Sequence, residues 1–222
     1  MTRKAILFDL DGTLVDTAPD LAAATDHALV SAGRPAIGLE AVRSMVGDGA
    51  RALIEKGFRA SGGMPAPDAF EAAFNDFMIY YGRHIAQTSR PFPGVATCLA
   101  ALAEQDYALA VCTNKPEALS RSLLDQLGLS GFFGAVVGGD SLLVRKPDPG
   151  HIRGTLDRLG SDFSWAAMVG DSANDVNAAR AAGLPCVVVS FGYTQIAPKD
   201  LGGDRLIDHF SELPDAIVTL GG

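Results

Sequence analysis

Beyond Pro93 the chain alternates short apolar runs with stretches whose apolar residues recur at helical spacing, and few folds accept that rhythm. The pattern predicts helix 94–106, strand 107–113 (YALAVCT), helix 116–127, strand 135–138, helix 148–159, strand 166–170, helix 173–182 and strand 185–190 (PCVVVS). A short strand in RLID and a closing helix in FSELPDAIVTL follow. Strands this short and continuously apolar are buried on both faces, and parallel neighbours need crossovers, which the intervening helices supply. The expectation is therefore an α/β, Rossmann-like core, a parallel sheet with helices on both faces. KAILFDL, residues 4–10, is one more such run and belongs to the same sheet.

Between that first strand and the alternating region the texture differs. APDLAAATDHALVSAG, LEAVRSMVG, GARALIEKGFRASG and PDAFEAAFNDFMIYYGRHI all carry helical periodicity, broken by Gly, Pro and Ser, with no convincing strand among them. Residues 17–90 then form a small all-helical cap domain inserted into a core made of residues 1–16 and 91–222. Hinges are expected near Val15–Thr17 and Arg90–Pro93. The aromatic stretch FNDFMIYYG is expected to pack inside the cap or against the core.

Composition narrows the class. A chain of 222 residues with 48% hydrophobic and 20% charged residues suits one or two compact domains. No segment approaches the ~18 apolar residues of a membrane span, and the opening apolar run is too short for a signal sequence. Cys98, Cys112 and Cys186 are odd in number and set among apolar residues, which predicts reduced, buried thiols and a cytoplasmic location. A net charge of −8 argues against a nucleic-acid or anionic-membrane surface and leaves room for a local basic pocket; a monomer or homodimer is expected. His27, His84, His151 and His209 lack the spacing of a zinc helix.

In an open α/β sheet, ligands sit beyond the carboxyl ends of the strands. Four such ends carry polar chemistry: Asp9 and Asp11 after the first strand, Thr113 and Asn114 after YALAVC, Lys146 in RKPDP, and Asp171, Ser172, Asn174 and Asp175 in GDSAND. Each alone can be a turn, a helix cap or surface charge. Together they supply carboxylates for a hard divalent cation, a lysine, and hydroxyl and amide donors, which is what phosphoryl transfer requires. A carboxylate can attack phosphorus, and a second acid two residues on can protonate the leaving oxygen and then activate water.

In order, DLDGT, VCTN, Lys146 in RKPDP and GDSAND resemble the four motifs of the haloacid dehalogenase superfamily of aspartate-nucleophile phosphatases, over essentially the whole chain. The resemblance implies Mg2+ as cofactor and a small phosphorylated metabolite as substrate. It makes Asp9 nucleophile and metal ligand, and Asp11 general acid/base, its carbonyl a further ligand. Thr113 and Asn114 then bind the phosphoryl group, Lys146 steadies nucleophile and phosphate, and Asp171 and Asp175 serve the metal. Ser172 and Asn174 are expected either to orient those two aspartates or to cap the next helix. The insert resembles the superfamily's mobile cap.

MVGDGARALIEKGF, GGDSLLVRKPDP, GDSANDVNAARAAGLP and VSFGYT further resemble the phosphoglycolate phosphatase branch, which implies hydrolysis of 2-phosphoglycolate. Such a substrate carries a carboxylate, for which Gly49 and Arg51 in the cap are the candidates, with a solvated helix arginine the alternative reading of Arg51. A dehalogenase needs no acid at Asp11. Phosphonate cleavage needs an imine-forming lysine in the cap, where Lys56 stands in what looks like an exposed helix position. Phosphomutases and phosphatases for sugar phosphates, amino-sugar phosphates or pyrophosphate share the motifs and remain alternatives. A phospho-accepting receiver, the non-enzyme reading, needs neither Asp11 nor a cap.

Overall fold

The computed structural model describes residues 3–160 and 162–222. Six parallel strands form one sheet: β1 (Arg3–Phe8), β4 (Tyr107–Cys112), β5 (Ala135–Val137), β6 (Phe163–Gly170), β7 (Cys186–Val189) and β8 (Arg205–Ile207). Their order is β5-β4-β1-β6-β7-β8. The chain builds outward from β1 on one side, then crosses to β6 and builds outward on the other. The carboxyl end of β1, between β4 and β6, is therefore the point where the strand order reverses and a crevice opens.

Side-chain alternation divides the core. Ile6, Phe8, Leu109, Val111, Val169 and Val187 point into one apolar cluster, shared with Leu99 and Leu102 of α5 (Val95–Glu104), Leu123 of α6 (Glu117–Gln126) and Ile217 of α9 (Leu213–Thr219). Leu7, Cys112, Met168, Cys186 and Val188 point the opposite way, onto Ile152 of α7 (Pro149–Leu159) and Val176 and Ala179 of α8 (Ala173–Ala182). Period-two strands carrying apolar residues on both faces thus demand helices on both sides. The three cysteines are buried and unpaired with one another.

No strand occurs among the described residues from 17 to 89. They form α1 (Ala18–Ser31), α2 (Gly38–Arg43), α3 (Ala50–Ala60) and α4 (Pro67–Arg83). Two-residue strands β2 (Val15–Asp16) and β3 (Arg90–Pro91) pair antiparallel where this segment leaves and rejoins the sheet, at the expected hinge positions. Asp20, 3% exposed, locks the two ends together. Its carboxylate accepts from the Thr88 and Ser89 N–H groups and from both hydroxyls. Burial opposes that charge, but the hydrogen bonds prevail and hold the Asp20 carboxyl below its usual range.

Helix and strand positions match the sequence pattern closely, except that β6 starts at Phe163 rather than near 166. Phe163 and Trp165 pair with Arg3 and Lys4 at the fraying end of β1, where polar and half-exposed residues give no apolar run to read.

Candidate active site

β1 does not release the chain until its last polar residue is in place. The Asp9 N–H donates to Val169 O at 2.9 Å, so the backbone of Asp9 is still sheet. One oxygen of its carboxylate, Oδ1, accepts from the Leu10 N–H at 2.7 Å and lies 3.0 Å from Lys146 Nζ. The chain then turns sharply, with Leu14 and Val15 N–H groups donating to Leu10 O. Gly12 makes that turn possible: its φ is +84°, and a Cβ there would come within 2.6 Å of Asp171 Oδ2.

β6 delivers the second carboxylate. Asp171 accepts from the Thr13 hydroxyl at 2.9 Å and from the Tyr193 N–H at 2.8 Å. The Tyr193 hydroxyl in turn accepts from the Ala18 N–H and donates to Asp16, linking this aspartate to the hinge. Asp175, fully buried, completes the capping box of α8: Oδ2 accepts from the Ser172 N–H and hydroxyl, and Oδ1 lies 2.6 Å from Lys146 Nζ. Oxygen atoms of Asp9, Asp171 and Asp175 all lie within 4.8 Å of one another.

Crowding of buried carboxylates has a price in charge. Burial, then Asp175 and Asp9, push Asp171 up to about 8. Burial also pushes Asp9 up to about 6, against the pull of Lys146. Burial works against the Lys146 ammonium as well, but Asp175 and Asp9 outweigh it and raise its pKa. One lysine thus faces three carboxylates. A further positive charge would relieve the excess, and an all-oxygen donor set suits a hard divalent cation.

Lys146 is placed by His151, a buried residue that neither motif nor spacing singles out. The His151 Nδ1 accepts from the Lys146 N–H at 3.2 Å, and Nε2 donates to Gly138 O at 3.1 Å. Both partners demand a neutral ring. Burial first, and the nearby Lys146 charge second, lower its pKa to about 4.

Thr113 follows β4 and is buried, its oxygen accepting from the Lys115 N–H at 3.3 Å. Asn114 is at the site, but its amide hydrogens are committed: Nδ2 donates to Gly47 O and to Lys146 O, both at 3.0 Å. That amide ties the cap loop to the lysine loop instead of offering its hydrogens to a phosphoryl group. Asn174 likewise does not orient the aspartates; it donates to Asp48 Oδ1 at 2.9 Å and to Gly47 O at 3.3 Å. Asp48 is held from behind by Lys56 at 2.6 Å, so Lys56 is a half-buried ion-pair partner rather than an exposed helix lysine.

Core and cap enclose a cavity of about 30 Å3 lined by Asp9, Asp11, Thr113 and Lys115 below and by Leu21, Gly49, Phe77 and Tyr81 above. By this measure a water needs ~10–15 Å3, so the closed cavity holds little more. Gly49 takes its expected place: its φ is +90°, and a Cβ would stand 3.0 Å from Asn114 O. Arg51 does not. Its guanidinium makes a two-pronged pair with Glu71 at 2.7 and 2.9 Å on the cap exterior, over the rings of Phe70 and Phe74. Two residues beyond Gly49, on the opposite side of the helix, it faces away from the cavity, and the aromatic surface of α4 holds it there.

Sequence reading missed Lys115 and Tyr81. Lys115 Nζ lies 3.0 Å from Asp11 Oδ1 and 2.6 Å from Tyr81 Oη. Lys115 directly follows Thr113-Asn114 at a strand end already under scrutiny, so its position was a usable signal. Tyr81 carried none beyond helical spacing.

Residues 6–189 match the profile of the haloacid dehalogenase-like hydrolases. The chain belongs to that family. This hydrolase is 46% identical over 220 residues to a phosphoglycolate phosphatase of Caulobacter vibrioides, covering 99% of this chain and 93% of that one. It is 40% identical over 226 residues to a phosphoglycolate phosphatase of Mesorhizobium japonicum, covering all of both. Among solved structures, a predicted phosphoglycolate phosphatase from Haemophilus somnus superposes with a TM-score of 0.92 at 32% identity, over 98% of this chain and 99% of that one. CbbY from Rhodobacter sphaeroides, solved in complex with phosphate, superposes with a TM-score of 0.78 at 29% identity, over 96% of each chain.

Proposed function

We propose that the enzyme hydrolyses 2-phosphoglycolate to glycolate and phosphate, with Asp9 as nucleophile, Asp11 as acid and base, and Mg2+ as cofactor. One observation carries the chemistry: Asp9 is fixed through Oδ1 alone, by the Leu10 N–H and Lys146, while a second carboxylate stands two residues on at the same cavity. Oδ2 of Asp9 is thereby left to form a bond to phosphorus. The ester P–O bond breaks, its electron pair goes to the glycolate oxygen, and Asp11 supplies the proton. Asp11, now a carboxylate, takes a proton from water as that water attacks phosphorus, and the aspartyl P–O bond breaks to release phosphate.

Asp9, Asp171 and the Asp11 carbonyl would hold the Mg2+, which neutralises charge on the phosphoryl oxygens when bound. Asp175 serves it from behind, since both its oxygens are engaged by Lys146 and Ser172. Thr113 has its hydroxyl hydrogen available for a phosphoryl oxygen, and Lys146 steadies Asp9. The domain division is core 1–16 and 91–222 with cap 17–90, turning at the β2–β3 pair. A cavity this small requires the cap to lift before substrate enters.

The relatives named above support the choice of substrate. Steady-state kcat/KM across 2-phosphoglycolate, hexose phosphates, amino-sugar phosphates and pyrophosphate tests it. 2-Phosphoglycolate is expected to lead; a clear preference for a bulky sugar phosphate would sink the assignment.

A further inference from the structure

Lys115 has no part in the chemistry just described, yet it is the only cation among the residues lining the cavity. Its side chain is 3% exposed, and its ammonium contacts Asp11 and the Tyr81 hydroxyl and lies 4.4 Å from the Tyr81 ring centroid. Around it the wall is apolar, with Leu21, Leu53 and Phe77 excluding water, which strengthens any charge interaction made there. Other cations nearby are committed: Lys146 to Asp175 and Asp9, Lys56 to Asp48, Arg51 to Glu71. Arg145 stands near Gly49, its guanidinium 3.5 Å from where a Gly49 Cβ would stand, and is exposed.

We infer that Lys115, backed by the Tyr81 hydroxyl, recognises the carboxylate of the substrate and so sets the preference for an acid-bearing phosphoester. The inference rests on the reading of the substrate given above. Distance supports it. Asp11 must come within about 3 Å of the leaving oxygen to protonate it. Lys115 Nζ is 3.0 Å from Asp11 Oδ1, which puts the ammonium within about 6 Å of that oxygen. In 2-phosphoglycolate the carboxyl carbon lies two bonds, about 2.4 Å, from the ester oxygen. Its carboxylate therefore falls within reach of an ammonium with one hydrogen to spare, since a lysine has three donors and the Asp11 carboxylate and the Tyr81 hydroxyl take two. A neutral group at that place would have to displace Lys115 from Asp11 with nothing charged to offer in return. The phenol hydrogen of Tyr81 is a second donor for the same carboxylate: its oxygen accepts from Lys115, and burial with the nearby Asp11 charge keeps Tyr81 protonated.

The test compares kcat/KM for 2-phosphoglycolate and for 2-hydroxyethyl phosphate, which keeps the ester and loses the carboxylate, in the full-length enzyme with Mg2+. Lys115→Met removes the charge at similar volume; Lys115→Arg keeps it. Lys115→Met will lower both values, because Lys115 touches Asp11, but the ratio between them is expected to fall by about 10- to 100-fold, the worth of a charged hydrogen bond. Lys115→Arg is expected to recover part of the ratio. An unchanged ratio in Lys115→Met would overturn the inference, leaving Lys115 as a support for Asp11. So would a ratio that collapses in Arg145→Ala instead. An unmutated enzyme with no preference for 2-phosphoglycolate removes the substrate reading itself, and this is told apart because it needs no variant.

Discussion

Lys146 and Asp175 meet at 2.6 Å, and neither side chain reaches solvent. The same ammonium lies 3.0 Å from Asp9, so an aspartate three sheet strands later in the chain's course fixes the lysine that fixes the nucleophile. Asp175→Asn keeps the shape but leaves a buried ammonium short of its nearest counter-charge. A broken buried pair costs about 3 kcal/mol. We expect the unfolding free energy from urea titration to fall by that amount at an unchanged m-value, with kcat reduced as Lys146 loosens its hold on Asp9.

Asn174 fastens core to cap through Asp48 and Gly47. Asn174→Ala should cost about 1 kcal/mol of closure, or roughly a fivefold drop in kcat/KM. Because the contact bridges two folded parts, urea stability is expected to stay within about 0.5 kcal/mol. Equal losses in stability and activity would show that the contact supports the core and not the closure.

Arg51, by contrast, is spent on Glu71 at the surface. Arg51→Ala is expected to change kcat/KM for 2-phosphoglycolate by less than about twofold, since the solvent-screened pair lies on the cap exterior and touches nothing at the cavity. A large rise in KM would return Arg51 to the substrate.

The contrast between Lys146 and Arg51 shows what the sequence made legible. Strands buried on both faces announce themselves as apolar runs, and their carboxyl ends must share one edge, so Asp9, Thr113, Lys146 and Asp171 could be gathered before any coordinates. Cap residues carry no such rule. Whether Arg51 or Tyr81 faces the cavity depends on how α3 and α4 rotate and on how the insert sits over the sheet. Contacts such as Lys115 to Tyr81 and Asn174 to Asp48 span 34 and 126 residues of sequence and leave no periodic trace. Asn114 was found, but its side-chain partner Gly47 belongs to the cap and left no trace to read.

His151 gives the fold a pH dependence of defined sign. Its pKa falls from the usual ~6.5 to about 4 in the folded chain, so the unfolded chain binds the extra proton between those values. Stability from this residue is complete above about pH 6.5 and is lost as pH falls toward 4. Between pH 7 and pH 5 the loss is about 2 kcal/mol. Urea titrations of the wild type and His151→Gln at both pH values check it: the wild type should lose that much more than the variant. Parallel losses would contradict a neutral His151.

The central claim is that phosphorus passes through Asp9, and rapid-quench trapping of the enzyme during turnover of phosphate-labelled 2-phosphoglycolate tests it most directly. An acid-stable, hydroxylamine-labile label on the peptide containing Asp9 is predicted. Asp9→Asn should carry no label and turn over on the order of 10,000-fold more slowly with its fold intact. Label on another residue, or native turnover by Asp9→Asn, would contradict the account.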